Sequence, residues 1–433
     1  MPRSPGYLQH VEYTGSELTF SGVKLVEIAR HTGTPVYIYS GDALLNSLRE
    51  FQDALAAVDH LICFAVKSNS NIAILKLLGK AGAGLDLVSG GELYRARQAG
   101  VAGPAIVFSG VGKTKDEIAQ ALTYADSGIF SFNVESAAEL ETINSVAREL
   151  GRKAAIALRF NPDVDAKTHP YVSTGLKKNK FGVHRSEILE IARRLNEFDR
   201  IALKGISIHI GSQLVSLGPL GDAFGRVTNL CEEVNQILGN PLSFIDLGGG
   251  LGIQYGNKKA PSIRSYCSLV LKHFGPGTAF SRRNSPFRIL IEPGRVLAGN
   301  SGVLVTELLY RKRRAKKEFL IVDSGMNDLI RPALYGSHHE LLPLKKVSGP
   351  RTKYDIVGPV CETSDCFAQA RSLPTRIQPG DLIAILSAGA YGFSMASNYN
   401  SRPRPPEVLI ENGRFRVIRD REKYEDLLRG ERV

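Results

Sequence analysis

The stretch LICFAVK at residues 61–67 decides how the rest of the chain is interpreted. Residues 61–66 are apolar and uncharged, which is typical of a strand covered on both faces. Lys67 follows directly at the carboxyl end of this run. A lysine there usually marks only the surface end of a strand, so its meaning depends on what the other strands carry at the same position.

Further apolar runs of strand length follow, separated by segments such as GGELYRARQAG with apolar residues at helical spacing. The predicted strands are LICFAVK (61), LDLVS (85), AIVFSG (105), IFSFNV (129), AAIALRF (154), GISIHIG (205), LSFIDLGGG (242) and FRILIEPGR (287). This alternation predicts an α/β fold, and residues 34–295 match the size of about 250 residues that is typical of a (β/α)8 TIM-like barrel. A doubly wound open sheet is the alternative, because the number of strands does not prove closure.

After Arg295 the helical pattern nearly disappears. Strand-like segments replace it, among them VLVTELLYRK, EFLIVDSG, KYDIVGPVC, DLIAILSAGAYG and EVLIENGRFRVI. We expect the strand-like SELTF and VYIYS near the N-terminus to join them. The prediction is a mostly β domain formed by residues 1–33 and 296–433.

Composition excludes several classes of protein. No apolar run approaches the ~20 residues that a membrane span requires. The N-terminal MPRSPGYLQHVEY lacks the apolar segment of a secretory signal, so a cytoplasmic location is expected. The five cysteines are odd in number and scattered, which favours reduced thiols. Cys361 and Cys366 have no second pair at metal-ligand spacing, and we predict no metal site.

The net charge of +12 and the run RKRRAKK at 311–317 raise the possibility of nucleic-acid binding. The run lies between the strand-like VLVTELLY and EFLIVD, and no aromatic-interleaved basic motif accompanies it. A solvated hairpin turn explains it more simply. We therefore predict neither a nucleic-acid nor a membrane partner.

Polar residues recur at the carboxyl ends of the predicted strands, where the active site of a (β/α)8 barrel collects. Individually, His209 could be a core histidine and Asp86 a helix N-cap. Their regular recurrence indicates a site. The residues at these ends are Lys67, Asp86, Ser89, Asn161, His209, Gly248, Gly249, Gly250, Glu292 and Arg295.

The motifs DLGGGLG and EPGR follow the seventh and eighth predicted strands. Consecutive glycines let backbone N–H groups approach an anion, and barrel phosphate sites favour these two loops. A lysine, a phosphate cradle and a buried glutamate on one rim are typical of a pyridoxal phosphate site. There the lysine forms a Schiff base and a carboxylate keeps the pyridine nitrogen protonated.

Motifs along nearly the whole chain resemble the diaminopimelate decarboxylase family of fold-type III pyridoxal phosphate enzymes, whose fold is like that of alanine racemase and ornithine decarboxylase. EPGR is shared with ornithine and arginine decarboxylases, whereas NDLIRPALYG and YNSRPRPPEVL favour the diaminopimelate branch. The motifs are FAVKSN, GLDLVSGGEL, RFNPDVDAKTHPYVSTGLKKNKFGV, GISIHIGSQL, DLGGGLG, IEPGR, VDSGMNDLIRPALYG, GPVCETSDCFA and GAYGFSMASNYNSRPRPPEVL.

The resemblance implies a cofactor, pyridoxal 5'-phosphate, and a role for each matching residue. Lys67 would form the Schiff base, His209 would stack on the ring and Glu292 would pair with the pyridine nitrogen. The other implied cofactor-binding residues are Asp86, Ser212, Gly249, Gly250, Pro293, Gly294, Arg295 and Tyr391.

The resemblance also implies decarboxylation of meso-2,6-diaminopimelate to L-lysine and CO2, the last step of lysine biosynthesis. Cys361 would donate the proton and Glu362 would bind the distal ammonium, both reaching the site from the partner subunit of a homodimer. The implied residues for the distal end of the substrate are Arg295, Arg331, Tyr335 and Tyr391. Arginine forks bind carboxylates bidentately, which fits a substrate that keeps one carboxylate.

Small departures from the family pattern occur at Phe64, Ser68 and the segment YGSHHE. The alternative is a decarboxylase or racemase of the same fold that acts on ornithine, lysine or carboxynorspermidine. Glu292 disfavours a racemase, and Arg331 with Tyr335 disfavours an enzyme whose substrate lacks a distal carboxylate. An inactive homologue would be expected to lose Lys67 or Cys361, and both are present.

Overall fold

The computed structural model describes residues 10–165, 179–256, 259–280, 287–315 and 317–433. Residues 166–178 of the motif beginning RFNPDV, and Lys316 of the basic run, lie outside these ranges. The chain divides into two compact units. We call them the barrel unit, Leu45–Ile253 with Ala260–Val296, and the β unit, Met1–Leu44 with Gln254–Lys259 and Leu297–Val433.

Short elements open the chain. They are β1 (Val11–Thr14), β2 (Glu17–Phe20), β3 (Val23–Lys24), α1 (Leu25–Thr32), β4 (Val36–Ser40) and α2 (Gly41–Ala54). Strands β1, β2 and β3 form a three-stranded sheet in which β2 pairs antiparallel with both neighbours. Helix α2 leads from the β unit into the barrel unit.

Eight parallel strands form the barrel unit's sheet. They are β5 (His60–Ala65), β6 (Gly84–Leu87), β7 (Ile106–Phe108), β8 (Ser131–Val134), β9 (Ala154–Phe160), β10 (Ile201–Ile208), β11 (Phe244–Asp246) and β12 (Arg288–Ile291). Each falls on one of the predicted runs. Strand β12 pairs in parallel with β5, opposing Ile289 to His60, so the sheet is a closed barrel. The predicted (β/α)8 barrel is confirmed, and the open sheet is wrong.

Helices alternate with these strands. They are α3 (Ile72–Lys80), α4 (Gly90–Ala99), α5 (Lys115–Leu122), α6 (Ala137–Glu149), α7 (Arg185–Arg193), α8 (Gly218–Leu238), α9 (Ile263–Phe274) and α10 (Arg295–Ala298). Several begin at Ser, Thr or Asn side chains that accept a backbone hydrogen bond from the first turn, such as Asn71, Ser89 and Thr114. These caps satisfy amide groups that have no partner within the helix.

One layer of the barrel interior combines Cys63, Val107, Ala157 and Phe244, all fully or almost fully buried. They come from alternate strands, β5, β7, β9 and β11, which is how layers of a (β/α)8 barrel are filled. The barrel is therefore a packed core, and chemistry is confined to the ends of its strands.

The β unit contains the remaining strands and two short helices. They are β13 (Gly302–Arg314), β14 (Lys317–Val322), α11 (Arg331–Tyr335), β15 (Leu341–Pro343), β16 (Arg351–Val357), β17 (Cys366–Pro374), β18 (Leu382–Ile385), β19 (Glu407–Glu411), β20 (Arg414–Arg419) and α12 (Tyr424–Leu427). Seven strands follow the order β17-β16-β14-β13-β4-β19-β20, while β18 pairs with β13 and β15. The mostly β second domain is confirmed.

Strand β4 pairs antiparallel with β13 and parallel with β19 in this sheet. It therefore belongs to the β unit, although the barrel domain assigned from the sequence began at residue 34. The basic run lies where β13 meets β14, with Arg314 opposite Lys317, so the hairpin prediction is confirmed for the residues described. Across the described ranges, no helix is both long and apolar enough to span a membrane.

Candidate active site

Lys67 lies just beyond β5, in a 3-10 turn formed by Val66–Ser68. Its Nζ atom is 2.9 Å from Oδ2 of Asp86 on β6. Asp86 is fully buried, whereas the Lys67 side chain is 36% exposed, so a buried carboxylate holds the amine of a side chain that is partly open to solvent. Asp86 is not the helix cap, because Ser89 caps α4.

His209 follows β10 and is half-buried. Its Nδ1 atom accepts a hydrogen bond of 3.1 Å from the backbone N–H of Gly249, which places the proton of the neutral ring on Nε2. Burial lowers the pKa of His209 well below its usual value, and the positive charges of Arg159 and Lys67 lower it further. The imidazole is therefore neutral and can stack on a flat ring.

Only glycine fits two positions of the loop after β11, and a third glycine, after β12, is tightly packed. A Cβ atom on Gly249 would collide with the carbonyl oxygen of Glu292, and one on Gly250, where φ is +107°, with that of Gly211. A Cβ atom on Gly294 would lie 3.1 Å from the Cβ atoms of Ala65 and Ser68. The backbone here approaches its neighbours closely enough to cradle a small anion.

Two polar residues adjoin this loop region. Arg295 opens α10, is 7% exposed, and donates from Nη2 to Oγ of Ser212 at 3.0 Å. The carbonyl of Pro293 accepts a hydrogen bond of 3.2 Å from the N–H of Ala65, which joins the end of β12 to that of β5. The predicted phosphate-side residues of the barrel unit thus lie on neighbouring strand ends.

Two buried carboxyl groups lie at the ends of β11 and β12. Oε1 of Glu292 is 3.2 Å from Nδ2 of Asn133 and 3.4 Å from Oγ of Ser109, both donors. Oδ2 of Asp246 accepts from the same Asn133 nitrogen at 2.8 Å, and Oδ1 accepts from the N–H of Gly248 at 2.9 Å. Asp246 is fully buried and Glu292 is 6% exposed.

The two carboxyl groups affect each other's protonation. Burial is the main cause that raises the pKa of both Glu292 and Asp246, and the negative charge of Asp246 raises that of Glu292 further. Hydrogen bonds from Glu292, Asn133 and Gly248 partly offset the rise for Asp246. A proton therefore resides on Glu292 in preference to Asp246.

Asp246, Asn133 and Ser109 were not identified from the sequence. Asp246 opens the glycine motif and was interpreted only as part of it, although it ends a strand just as Asp86 does. Asn133 lies in β8 and Ser109 directly follows β7. The strand-end position that identified Lys67 could have found all three.

Nearby, Arg159 on β9 and Glu135 after β8 form a buried ion pair of 2.6 Å. Oε2 of Glu135 also accepts a hydrogen bond of 2.8 Å from the N–H of Gly182. This pair, which the sequence did not reveal, holds in place one of the positive charges that keep His209 neutral. Asn161, singled out from the sequence, hydrogen-bonds the backbone of Phe181 and Asp163.

In the β unit, Arg331 opens the short helix α11 and is 5% exposed. Its Nη1 donates to the hydroxyl of Tyr255 at 2.7 Å, and its Nη2 to Oγ of Ser337 at 3.1 Å. The guanidinium carbon lies 5.3 Å from the centre of the Tyr255 ring. Hydrogen bonds thus hold the guanidinium group from two sides. One of the two partners, Ser337, belongs to the segment YGSHHE. Tyr335 ends the same helix and is half-buried.

Cys361 and Glu362 lie in an exposed loop of the β unit before β17. The buried carboxylate of Asp365 orders this loop by accepting 2.7 Å hydrogen bonds from the N–H groups of Val360 and Met326. Oε2 of Glu362 accepts from the hydroxyl of Tyr399 at 3.2 Å. Tyr391 follows β18, where its φ is +55°.

The structure thus brings most predicted cofactor residues together at strand ends of the barrel unit. These are Lys67, Asp86, His209, Ser212, Gly249, Gly250, Glu292, Pro293, Gly294 and Arg295. The remaining predicted residues belong to the β unit. These are Arg331, Tyr335, Cys361, Glu362 and Tyr391.

An accessible lysine, a glycine cradle and a buried carboxyl group at one barrel mouth define the class of pyridoxal phosphate enzymes with a barrel fold. Residues 42–299 match the family model described as "Pyridoxal-dependent decarboxylase, pyridoxal binding domain". The residues present fit the cofactor: an amine to bind its aldehyde, a loop where no Cβ is tolerated to receive its phosphate, and a carboxyl group to face its nitrogen. The cofactor is pyridoxal 5'-phosphate.

The same comparisons identify the family within this class. Diaminopimelate decarboxylase of Aquifex aeolicus is 44% identical over 97% of this chain and 96% of its own length. The crystal structure of diaminopimelate decarboxylase from Helicobacter pylori complexed with L-lysine superposes with a TM-score of 0.86 at 42% identity, covering 93% of this chain and 98% of that chain. That from M. jannaschii in co-complex with L-lysine gives 0.90 at 35% identity, with 98% of each chain covered. The chain belongs to the diaminopimelate decarboxylase family.

Proposed function

We propose that this protein decarboxylates meso-2,6-diaminopimelate to L-lysine and CO2, the last step of lysine biosynthesis. The observation that carries the proposal is the contact between the accessible Lys67 amine and the buried Asp86, in a chain similar to diaminopimelate decarboxylases over nearly its full length. The lysine complexes of two relatives support the assignment of L-lysine as the product.

In this proposal, Lys67 binds the cofactor covalently and Asp86 holds the amine at the barrel mouth. His209 stacks on the cofactor ring, and Glu292 faces the pyridine nitrogen. When bound, the cofactor accepts the electron pair that the departing CO2 leaves on the α carbon. The phosphate-side residues are Ser212, Gly249, Gly250, Pro293, Gly294, Arg295 and Tyr391.

The substrate's distal carboxylate is assigned to Arg331, whose orientation is already fixed by Tyr255 and Ser337. A pre-oriented guanidinium loses little side-chain freedom when a carboxylate binds, which favours it as the recognition group. Arg295, Tyr335 and Tyr391 complete the distal site, and Glu362 binds the distal ammonium. Cys361 returns a proton to the α carbon after CO2 leaves.

We further propose a homodimer in which Cys361 and Glu362 complete the partner subunit's site. Both side chains are exposed in the single chain, and the loop that holds them is ordered by Asp365. A cytoplasmic location is also proposed. The five cysteines are odd in number and scattered along the chain, which favours reduced thiols.

Measurement of CO2 release tests the substrate. The purified protein, supplied with pyridoxal phosphate, is offered meso-diaminopimelate, L-lysine and L-ornithine in parallel. We expect release from meso-diaminopimelate and an equal amount of L-lysine, with little release from the other two. Faster release from lysine or ornithine would instead favour the same-fold decarboxylase of another basic amino acid.

A further inference from the structure

The roles assigned above leave one buried group of the barrel mouth unused, the carboxyl group of Asp246. Asp246 ends β11 and is paired in register with Leu290 of β12, two residues before Glu292. The Asn133 amide nitrogen contacts both carboxyl groups, at 2.8 Å for Asp246 and 3.2 Å for Glu292. The two acidic side chains therefore share one donor at the position proposed for the pyridine nitrogen.

Hydrogen-bond donors at this position do not suffice for two ionised carboxylates. The donors described for the pair are the two N–H groups of Asn133, the hydroxyl of Ser109 and the backbone N–H of Gly248. Each carboxylate can accept about four hydrogen bonds. A proton between the two acids supplies the missing donor.

The surrounding charges point the same way. Glu292 is influenced by the negative charges of Asp246 and Asp86 and by the positive charge of Lys67. Lys67 is already paired with Asp86 at 2.9 Å. Two like charges in contact in a buried site do not both ionise unless a cation compensates them.

Two other titratable groups are close to the pair. They are the thiol of Cys63, in the barrel layer, and the hydroxyl of Tyr266. Burial is the main cause that raises the pKa of each, and the negative charges of Asp246 and Glu292 raise it further, so both groups stay neutral. Neither group can offset a second negative charge.

We propose that Asp246 and Glu292 share one proton, and that Asp246 holds it whenever Glu292 faces the protonated pyridine nitrogen of bound cofactor. When a cofactor whose pyridine nitrogen already carries its own proton binds, the O–H bond of Glu292 breaks and an O–H bond forms on Asp246. The pair keeps a single negative charge, which balances the single positive charge of the pyridinium. Asp246 is thus a positioning residue, which keeps Glu292 ionised and aimed at the nitrogen. The inference rests on the proposed placement of that nitrogen opposite Glu292.

Infrared spectroscopy of the holoenzyme labelled with ¹³C-aspartate tests where the proton lies. We expect a protonated aspartic acid carbonyl band in the wild-type holoenzyme that Asp246→Asn removes. Asp328 provides a positive control, because it is buried and its pKa is raised to about 7. Below that pH, Asp328→Asn should remove a second band from the same spectrum. If the Asp328 band is seen and Asp246→Asn removes none, the proposal is wrong.

Kinetics of paired variants give an independent test. The side chain of Asp246→Asn is neutral and can donate to Glu292, as a protonated aspartic acid does. We therefore expect Asp246→Asn to keep kcat within about threefold of the wild type. Asp246→Ala removes the donor and should lower kcat at least about tenfold. KM and cofactor content should change little in either variant. The cofactor absorbance should lose its protonated form at a lower pH in Asp246→Ala than in Asp246→Asn. Equal losses of kcat in both variants, with equal pH profiles, would overturn the proposal.

Glu292→Gln separates this inference from the proposed site. If Glu292→Gln leaves kcat and the cofactor absorbance unchanged, the placement of the pyridine nitrogen is wrong, and the role of Asp246 falls with it. If Glu292→Gln lowers kcat while the Asp246 carbonyl band is missing, the placement stands and only the shared proton is wrong.

Discussion

The side chain of Lys67 contacts a fully buried carboxylate and is itself partly exposed. Asp86 fixes one end of the contact because it belongs to strand β6 and has no freedom to follow the lysine into solvent. A nucleophilic amine at this position is held in one place while remaining open to a reactant from the barrel mouth. Covalent catalysis depends on this combination.

Lys67→Ala should abolish covalent attachment of the cofactor, because no other amine is proposed to take its place at the barrel mouth. The variant is treated with borohydride after incubation with pyridoxal phosphate, and its mass is compared with that of the wild type. Lys76→Ala, an exposed position on α3, is the control and should label normally. Recovery of the labelled cofactor on a different lysine would contradict the assignment.

Tyr255→Phe should weaken substrate binding without affecting the cofactor. The variant removes the hydroxyl that accepts the Arg331 hydrogen bond and keeps the ring beneath the guanidinium, so we expect KM for meso-diaminopimelate to rise about threefold to tenfold. Arg331→Ala removes the fork itself and should reduce kcat/KM at least about tenfold. Cofactor absorbance should be unchanged in both. Unaltered kinetics of Arg331→Ala would remove this residue from the site.

The strand-end positions of the candidate site residues were predictable from the sequence where an apolar run marked the strand. Lys67, Asp86, His209 and Glu292 each stand at or just after the end of an apolar run. Tyr255 was not predictable, because it contacts Arg331 across 76 positions and lies in no periodic pattern. A hydrogen bond between segments that are distant along the chain leaves no trace in local sequence.

The glycine loop after β11 has a rigid shape, because Gly250 adopts a φ of +107° next to the carbonyl oxygen of Gly211. A side chain can be accommodated there only if the loop moves. The loop can therefore keep this shape only if the residues at its close contacts have no Cβ atom.

Gly250→Ala should reduce cofactor affinity, because the strained backbone costs about 1–3 kcal/mol unless the loop rearranges. Fluorescence titration of the apoprotein with pyridoxal phosphate measures the loss. Gly225→Ala is the matched control, because Gly225 lies inside α8 and a Cβ atom added there would have no heavy atom within 4 Å beyond its own helix backbone. There alanine should raise the free energy of unfolding by up to about 1 kcal/mol and leave affinity unchanged. Equal affinity in both variants would contradict the role of the loop.

The sequence predicted which segments form strands and helices, but it did not predict which strands pair with each other. Parallel strands covered on both faces appear as continuous apolar runs, so all eight barrel strands were found. Strand β4, whose five residues are buried, was expected to join the strands of the β domain, although the boundary predicted at residue 34 placed it with the barrel. Its partners β13 and β19 are remote in sequence, so the sequence indicated its domain but not the strands with which it pairs.

Mixing two inactive variants tests the proposed dimer as a whole. Lys67→Ala and Cys361→Ala should each be nearly inactive alone. If Cys361 serves the partner's site, a mixed dimer has one site with both defects and one site with neither. At random assortment about half of the dimers are mixed, so about a quarter of the wild-type activity should return on subunit exchange. Steady-state CO2 release before and after exchange is the measurement.

The control for this experiment is a mixture of Lys67→Ala with itself, treated in the same way, which should stay inactive. Exchange is verified independently by mass spectrometry of differently tagged subunits. Absence of recovered activity despite verified exchange would show that each site takes both residues from one chain, and would disprove the shared site.

The place of β4 between β13 and β19 has a consequence for biosynthesis. The ribosome releases β4 early, but its neighbours in the sheet emerge only after the whole barrel sequence has been made. At a synthesis rate of about 5–20 residues per second, the edges of β4 stay without their native partners for tens of seconds. Because β19 is the last strand but one, translation is almost complete before the sheet can close. The nascent chain must therefore keep an apolar strand away from wrong partners for most of its synthesis.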